Sequence, residues 1–262
     1  MNNSFNFKKK FGQNFIFDEN ILNKIVNESN IKPDTLVIEI GIGMGTLTKI
    51  IANKAQKVVG YEIDKSLKPF IDNNIKDCNN IEIIYEDFLK RDIIKDIEGN
   101  YKYLYVIANL PYYITTPIIT KLIDEEIKVD KMVIMVQKEV GSRFRAKPNE
   151  KDYNSLTIFL NYYFNIYKLF DVSRNVFKPI PNVDSSIIVL EKKDKYIDLN
   201  NKSLFFKLVR DSFRFKRKNL KNNLKEYNLD KIENILKKYN LDLTVRAEAL
   251  SIDIFADIAN NL

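Results

Sequence analysis

The four residues Asn109-Leu110-Pro111-Tyr112 combine chemical groups that could hold a planar amino group. They follow the apolar run 103–108, which is typical of a buried strand. The amide oxygen and a backbone carbonyl could accept the two N–H bonds of an exocyclic amino group. Proline would fix the turn, and the aromatic ring could stack on a flipped-out base. We therefore predict that these four residues are catalytic; the alternative is an ordinary proline turn at a strand end.

A glycine-rich segment follows another predicted strand at 36–40. It contains Gly41, Gly43 and Gly45 in the spacing G-x-G-x-G, which lets the backbone turn tightly and approach a ligand closely. Dinucleotide-binding loops have the different spacing G-x-G-x-x-G. The spacing here favours S-adenosylmethionine, which has no pyrophosphate to hold. A purely structural turn is the alternative.

Acidic residues follow the next two predicted strands. Glu62 lies roughly 20 residues beyond the glycines, where an acid can accept both hydroxyls of an adenosine ribose, and Ile63 is predicted to line the same site. Asp64 is the less favoured candidate, with capping of the next helix as its alternative. Asp87 is placed to accept a hydrogen bond from an adenine amino group, with Phe88 against the ring. Either acid alone could be an ordinary surface carboxylate, but their joint placement at strand ends favours a cofactor site.

Alternating elements are needed to bring these features together. The apolar runs predict strands at 36–40, 57–63, 81–85, 103–108, 131–137, 167–172 and 185–190. Helical patterns cover 45–53, 65–76, a short stretch ending near 97, 117–127 and 152–164. This alternation predicts an α/β fold with a Rossmann-like, doubly wound and mainly parallel seven-stranded sheet. We predict a methyltransferase domain over 1–193 and, after a charged linker, a small all-helical domain over 194–262.

Composition excludes several chemistries. The chain of 262 residues has no histidine and one cysteine, Cys78. It therefore has no Ser-His-Asp triad, no imidazole base, no intrachain disulfide and no thiolate cage for a metal, and we expect no metal site. No apolar stretch approaches the length of a membrane span, so we expect a cytoplasmic protein that does not bind membranes.

Positive charge is concentrated near the C-terminus. The chain carries a net charge of +7, and the segment 202–225 has nine basic residues against a single acid, Asp211. Such a concentration indicates a polyanionic partner, most simply nucleic acid, although a solvated helix face is the alternative. The aromatic residues of this segment are ambiguous between core packing and base stacking: Phe205, Phe206, Phe213 and Phe215.

With these residues in view, the chain resembles the KsgA (RsmA) family of ribosomal RNA adenine N6-dimethyltransferases over nearly its whole length. The blocks that carry the resemblance are Lys10-Phe11-Gly12-Gln13-Asn14-Phe15-Ile16, residues 39–48, residues 109–116, residues 176–185 and Arg246-Ala247-Glu248-Ala249-Leu250-Ser251. The block at 109–116 begins with a motif that also occurs in unrelated amino-methylating enzymes, so that motif indicates the chemistry, while the other blocks indicate the family.

The resemblance implies a fold of the class I methyltransferase type and a set of functional residues. The cofactor site would comprise Asn14, Ile16, Gly41, Glu62, Asp87 and Asn109, to which we add Gly43, Ile63 and Phe88. The basic segment 1–17 would fold over the cofactor as a lid, and its Lys8, Lys9 and Lys10 could meet RNA phosphates. The helical domain would grip the RNA backbone through Arg214, Arg217, Lys218 and Lys221.

The implied reaction is the S-adenosylmethionine-dependent dimethylation of two adjacent adenines in the 3′-terminal hairpin loop of 16S ribosomal RNA. The expected partner is that RNA within the 30S subunit or its precursor, and the protein is expected to be a monomer. A resistance-type enzyme acting on 23S RNA is the nearest alternative. A non-catalytic RNA-binding or transcription factor on the same fold is another. DNA adenine methylation is less favoured because a target-recognition domain is missing.

Overall fold

The fold is described over residues 14–110 and 114–262 of a computed structural model. Five of the predicted functional residues lie outside this part of the chain: Lys8, Lys9, Lys10, Pro111 and Tyr112. Within it, no helix combines the length and the apolar character that a membrane crossing requires.

A seven-stranded sheet forms the centre of the fold. The strands of the described residues are β1 (Phe15–Ile16), β2 (Thr35–Ile40), β3 (Lys57–Tyr61), β4 (Ile81–Ile84), β5 (Tyr103–Asn109), β6 (Lys131–Gln137), β7 (Phe164–Val172), β8 (Phe177–Lys178) and β9 (Ser185–Lys192). The large sheet has the order β4-β3-β2-β5-β6-β9-β7, and β1 pairs with β8 in a separate two-stranded sheet. The five strands from β4 to β6 are parallel, and β9 runs antiparallel to β6. The predicted α/β fold with a mainly parallel seven-stranded sheet is confirmed.

The helices largely follow the strands in alternation. Their bounds are α1 (Glu19–Glu28), α2 (Thr46–Ala52), α3 (Lys68–Ile75), α4 (Ile93–Asp96), α5 (Thr115–Asp124), α6 (Lys138–Arg145), α7 (Ser155–Tyr163), α8 (Lys202–Ser212), α9 (Leu220–Asn223), α10 (Leu229–Lys237) and α11 (Ile252–Asn261). Several begin at a side chain that caps them. Asp18 accepts hydrogen bonds from the first turn of α1, and Asn154 forms a reciprocal capping box with Thr157 at the start of α7.

The order of the strands creates the place where a ligand can bind. All six residues of β2 are buried, because β2 lies between β3 and β5 in the middle of the sheet. The chain leaves β2 towards β3 on one side and later returns to β5 on the other. In an open parallel sheet, this reversal leaves a crevice beyond the carboxyl ends of the central strands.

Helices α1 and α6 were not predicted from the sequence. Helix α1 buries Leu22, Ile25 and Val26 at helical spacing, so its signal was present in the sequence. Helix α6 contains Gly141, which weakens a helical pattern. A Cβ atom at Gly141 would lie 2.9 Å from Cδ1 of Ile188 on β9. The helix therefore uses glycine to approach the sheet closely, which sequence propensity alone does not reveal.

Contacts divide the chain into two compact units. The first comprises the chain up to Gly141 together with Tyr167–Glu191, and the second comprises Ser142–Ile166 together with Lys192–Leu262. This division differs from the predicted boundary after residue 193, chiefly because the stretch 142–166 belongs to the second unit and also because that unit begins again at Lys192. The physical reason is packing, because Ile158 and Tyr162 share a hydrophobic cluster with Phe205 and Leu208.

Candidate active site

A cavity of about 380 Å³ opens at the carboxyl ends of the central strands in the first unit. All nine predicted cofactor residues line it: Asn14, Ile16, Gly41, Gly43, Glu62, Ile63, Asp87, Phe88 and Asn109. They come from five separate stretches of sequence. The four stretches at the ends of β2, β3, β4 and β5 meet because parallel strands end at one edge of the sheet, whereas Asn14 and Ile16 come from the segment around β1, outside this sheet. A cavity of this size can accommodate a small-molecule ligand.

The glycine loop forms the wall of the cavity after β2. Gly41, Gly43 and Gly45 have φ values of +75°, +63° and +82°, a region that L-residues with side chains rarely adopt. A Cβ atom at Gly43 would lie 2.9 Å from the ring of Phe15, which also lines the cavity. The loop therefore needs glycine for its backbone conformation, and at Gly43 it also needs glycine for space.

Glu62, directly after β3, is held in a fixed orientation. Its Oε2 accepts a hydrogen bond from the backbone N–H of Gly43 at 2.9 Å, and its Oε1 accepts one from Asp64 N–H at 2.8 Å. Burial raises the pKa of Glu62 above its ordinary value, and the two backbone hydrogen bonds oppose part of that rise. Each carboxylate oxygen can accept a further bond, so the residue retains acceptor capacity towards the cavity.

Asp64 caps the helical turn that follows it, which is the alternative role given for it above. Its Oδ1 accepts hydrogen bonds from the backbone N–H of Ser66 at 3.1 Å and from the Ser66 hydroxyl at 2.7 Å, and this caps the following 3₁₀ turn. Asp64 is buried and is not among the residues that line the cavity. The capping role is therefore confirmed.

Asp87 and Phe88 follow β4 and also line the cavity. Asp87 begins a 3₁₀ turn by accepting a hydrogen bond from the backbone N–H of Leu89 at 3.0 Å through Oδ1. No donor among the described residues contacts Oδ2. Phe88 is buried, and its ring lies edge-on to Tyr61 with ring centres 5.0 Å apart. The carboxylate thus presents an acceptor beside a fixed apolar surface.

Asn109 is the last residue of β5 and lines the same cavity. Its Nδ2 donates a hydrogen bond to the backbone carbonyl of Asn14 at 3.1 Å. Because a carbonyl can only accept, this contact assigns the amide nitrogen to that side and leaves Oδ1 as the acceptor. Leu110 also lines the cavity and is buried.

Glu39 is a cavity residue that the sequence prediction did not include. It is 1% exposed on β2, and burial raises the pKa of its carboxyl from 4.5 to about 8. The polar hydroxyl of nearby Thr48 partly offsets this increase in the Glu39 pKa, although its geometry does not meet that of a hydrogen bond. The negative charge of Glu62 raises the Glu39 pKa further. Its Oε2 is buried without a hydrogen-bond partner among the described residues. An acid inside the apolar run 35–40 was the available sequence signal.

The predicted RNA-binding residues of the second unit are all exposed: Arg214, Arg217, Lys218 and Lys221. Three of them lie in the loop between α8 and α9, and Lys221 lies on α9 itself. Arg217, Lys218 and Lys221 form no ion pair with any described residue, so their charges are available to a partner. Lys207 is different, because its Nζ lies 2.7 Å from Asp211 Oδ2.

The mainly parallel seven-stranded sheet, with a ligand cavity at the carboxyl ends of its central strands, defines a class I methyltransferase fold. The family model described as ribosomal RNA adenine dimethylase matches residues 4–262. The chain therefore belongs to the ribosomal RNA adenine dimethylase family and is a methyltransferase. The family resemblance inferred from the sequence is confirmed.

Individual relatives agree with this assignment. The chain is 44% identical to the Ribosomal RNA small subunit methyltransferase A of Bacillus cytotoxicus, over 98% of this chain and 92% of that protein. A crystal structure of a dimethyladenosine transferase from Plasmodium falciparum superposes with a TM-score of 0.79 at 27% identity, covering 93% of this chain and 95% of that chain. The 23S rRNA methyltransferase ErmE shares the fold, with a TM-score of 0.73 at 23% identity, covering 95% and 99% of the two chains.

Proposed function

We propose that the protein uses S-adenosylmethionine to dimethylate N6 of two adjacent adenines in the 3′-terminal hairpin loop of 16S ribosomal RNA. The observation that carries the proposal is the position of Asn109 on the same cavity as Glu62, Asp87 and the glycine loop. A relative 44% identical over 98% of the chain is named for methylation of small-subunit ribosomal RNA, which supports the choice of RNA.

The residues of the cavity fit the proposed cofactor. The fixed Glu62 carboxylate would accept both ribose hydroxyls, and Asp87 Oδ2 would accept the adenine amino group beside Phe88. The unpartnered Oε2 of Glu39 supplies an acceptor for the ammonium group, which would also relieve the cost of burying that carboxyl. The positive-φ glycines let the loop approach the ligand without side chains between them. When bound, the cofactor supplies a methyl group on a sulfonium, which is transferred to a nucleophile.

Asn109 would prepare the adenine amino group for this transfer. The lone pair of that nitrogen is delocalised into the ring and is a poor nucleophile. Asn109 Oδ1 and the Leu110 or Pro111 carbonyl would accept its two N–H bonds and draw the nitrogen towards tetrahedral geometry. The lone pair would then point at the methyl group. The methylated nitrogen would carry a positive charge and would readily lose one proton to water, so positioning and hydrogen bonding are sufficient and no strong base is required.

The remaining predicted residues complete the proposal. Tyr112 would stack on the flipped base, and Lys8, Lys9 and Lys10 would contact RNA near the cofactor. The exposed basic residues of the second unit would bind the RNA backbone, so affinity should fall steeply with salt. Because the relatives are ribosomal RNA enzymes, we infer that the substrate is the 30S subunit or its precursor and that the protein acts in the cytoplasm, as a monomer.

The alternatives are less well supported. The relatives named for the small subunit disfavour a resistance-type enzyme, and ErmE at 23% identity supports only the shared fold. A non-catalytic RNA-binding factor would not require Asn109, Glu62 and Asp87 around one cavity. Their joint retention favours an enzyme.

Two measurements test the proposal. Labelled S-adenosylmethionine is supplied with separated, undermethylated 30S and 50S subunits. We expect label in dimethyladenine of the 30S RNA; label in the 50S RNA would favour the resistance-type enzyme, and label in neither would favour a non-enzyme.

The second measurement concerns Asn109. We expect Asn109→Ala to abolish methyl transfer while leaving cofactor affinity within about 3-fold of wild type, because only one amide contact is lost. The matched control is Asn73→Ala, which changes an exposed asparagine outside the cavity and should retain full activity. Turnover by Asn109→Ala at the wild-type rate would refute the proposed role.

A further inference from the structure

One aromatic side chain of the basic segment is exposed to solvent. Phe205 and Phe206 are buried, and Phe213 packs with its ring centre 6.1 Å from those of Tyr153 and Phe255. Phe215 is 56% exposed. The ambiguity between core and stacking aromatics is therefore resolved residue by residue, and only Phe215 of these four is free to contact a partner through its ring.

The loop that carries Phe215 is held in place by Asn223. The Asn223 side chain donates to the carbonyls of Ser212 at 2.7 Å and Phe215 at 3.3 Å, and it accepts from the Phe215 N–H at 3.3 Å. Lys218 N–H closes the turn onto the Phe215 carbonyl at 2.8 Å. These contacts fix the backbone on both sides of the ring. An aromatic residue displayed from a fixed loop loses little conformational entropy when it binds.

The charged residues around the Phe215 ring indicate which kind of partner can bind there. The Arg214 guanidinium lies 5.4 Å from the centre of the Phe215 ring, and Lys216, Arg217 and Lys218 are exposed on the same loop. An apolar protein groove would have to desolvate these charges without compensation. A single-stranded nucleic acid offers both a flat π surface for the ring and phosphates for the cations.

We propose that Phe215 is a base-stacking site for an unpaired nucleotide of the RNA, distinct from the adenine that is methylated. The inference rests on the proposed function for the identity of the RNA. Arg214 and Phe215 would present one continuous π and cationic surface, and Asn223 would act as a positioning residue for the loop. The site would add affinity without demanding a particular base, because every base has a π face.

The test compares substitutions at Phe215 with a substitution of a neighbouring charge. Binding of wild type, Phe215→Ala, Phe215→Tyr, Phe215→Leu and Arg217→Ala is measured at several salt concentrations. The two probes are undermethylated 30S subunits and a fluorescent single-stranded oligoadenylate. Thermal unfolding of each variant checks that the exposed substitutions leave the fold intact.

These binding measurements should distinguish the contribution of ring stacking from that of positive charge. We expect Phe215→Ala to weaken binding of both probes by roughly 5- to 100-fold with an unchanged salt dependence. Phe215→Tyr should bind within about 2-fold of wild type, since a tyrosine ring also stacks, while Phe215→Leu should remain weak. Arg217→Ala should weaken binding and reduce the slope of log K against log salt by about 1.

Failure of this inference is distinguishable from failure of the proposed function. If Phe215→Ala binds both probes like wild type, or Phe215→Leu restores binding as well as Phe215→Tyr, stacking at Phe215 is refuted, whatever the enzyme methylates. If wild type leaves 30S RNA unmethylated while Phe215→Ala still loses affinity for oligoadenylate, the proposed function fails and the stacking site stands.

Discussion

Replacing Glu39 with glutamine should change how the stability of the cofactor-free protein depends on pH. The pKa of the Glu39 carboxyl rises from 4.5 to about 8 on folding, chiefly because of burial. The folded protein therefore holds this proton more tightly than the unfolded chain. Between the two pKa values the unfolded state binds fewer protons, so the free energy of unfolding falls as pH rises. Below 4.5 the carboxyl is protonated in both states and this penalty is absent.

The size of the effect follows from the two pKa values. Each pH unit between them removes about 1.4 kcal/mol, so the full penalty is about 5 kcal/mol above pH 8. Between about pH 5.5 and about pH 7.5 the loss is about 3 kcal/mol, a large part of the stability of a typical domain. Glutamine has a similar shape and does not titrate, so Glu39→Gln should remove this dependence.

Urea unfolding of the cofactor-free protein at several pH values measures the difference. The chain has no histidine, which removes the side chain that ordinarily titrates in this range. Glu62, whose pKa is also raised, is present in both proteins, and its contribution should largely cancel in the comparison. Glu226→Gln, which removes an exposed carboxylate, is the matched control and should follow wild type.

We expect the stability of Glu39→Gln minus that of wild type to grow by about 3 kcal/mol from about pH 5.5 to about pH 7.5. A difference that stays constant over this range would refute the reasoning, because Glu39 would then titrate alike in the folded and unfolded states. Glu39→Gln should also bind S-adenosylmethionine more weakly, since an amide cannot supply the negative charge proposed for the ammonium group.

Two further substitutions test the local geometry. Gly43→Ala should lower cofactor affinity at least 10-fold, because the added Cβ would lie 2.9 Å from the Phe15 ring at a φ of +63°. Gly99→Ala is the control, since Gly99 has a φ of +151° but open space around it. It should lower stability and leave the cofactor affinity, measured by calorimetry, unchanged. Asp96→Asn should cost about 1–3 kcal/mol at neutral pH, because the hydrogen bond from Arg91 lowers the pKa of Asp96. This advantage of wild type is fully present above pH 3.8 and should shrink in urea unfolding as the pH is lowered below 3.8, because the unfolded chain then binds the proton more readily than the folded protein. An advantage that does not change as the pH is lowered through this range would contradict the ion-pair explanation.

The sequence by itself determined the sheet and several of the residues that line the cavity. Continuous apolar runs indicate strands that are buried on both faces, as β2, β5 and β6 are. The acids and the amide that interrupt or follow such runs can be identified directly in the sequence. Because parallel strands end at a common edge, the positions of Gly41, Glu62, Asp87 and Asn109 in the sequence were enough to predict that they share one cavity. The concentration of basic residues in the segment 202–225 was also evident from the sequence.

Tertiary structure decided what local pattern cannot encode. The pairing of Phe15 and Ile16 with Phe177 and Lys178 joins segments far apart in sequence, and no local signal marks two-residue strands. Glu39 Oε2 is buried without a hydrogen-bond partner among the described residues, and this follows from the positions of neighbouring side chains in space, which the sequence does not give. Phe205 and Phe215 read alike in sequence, yet one is buried and the other exposed, because burial is set by the elements that pack over each ring.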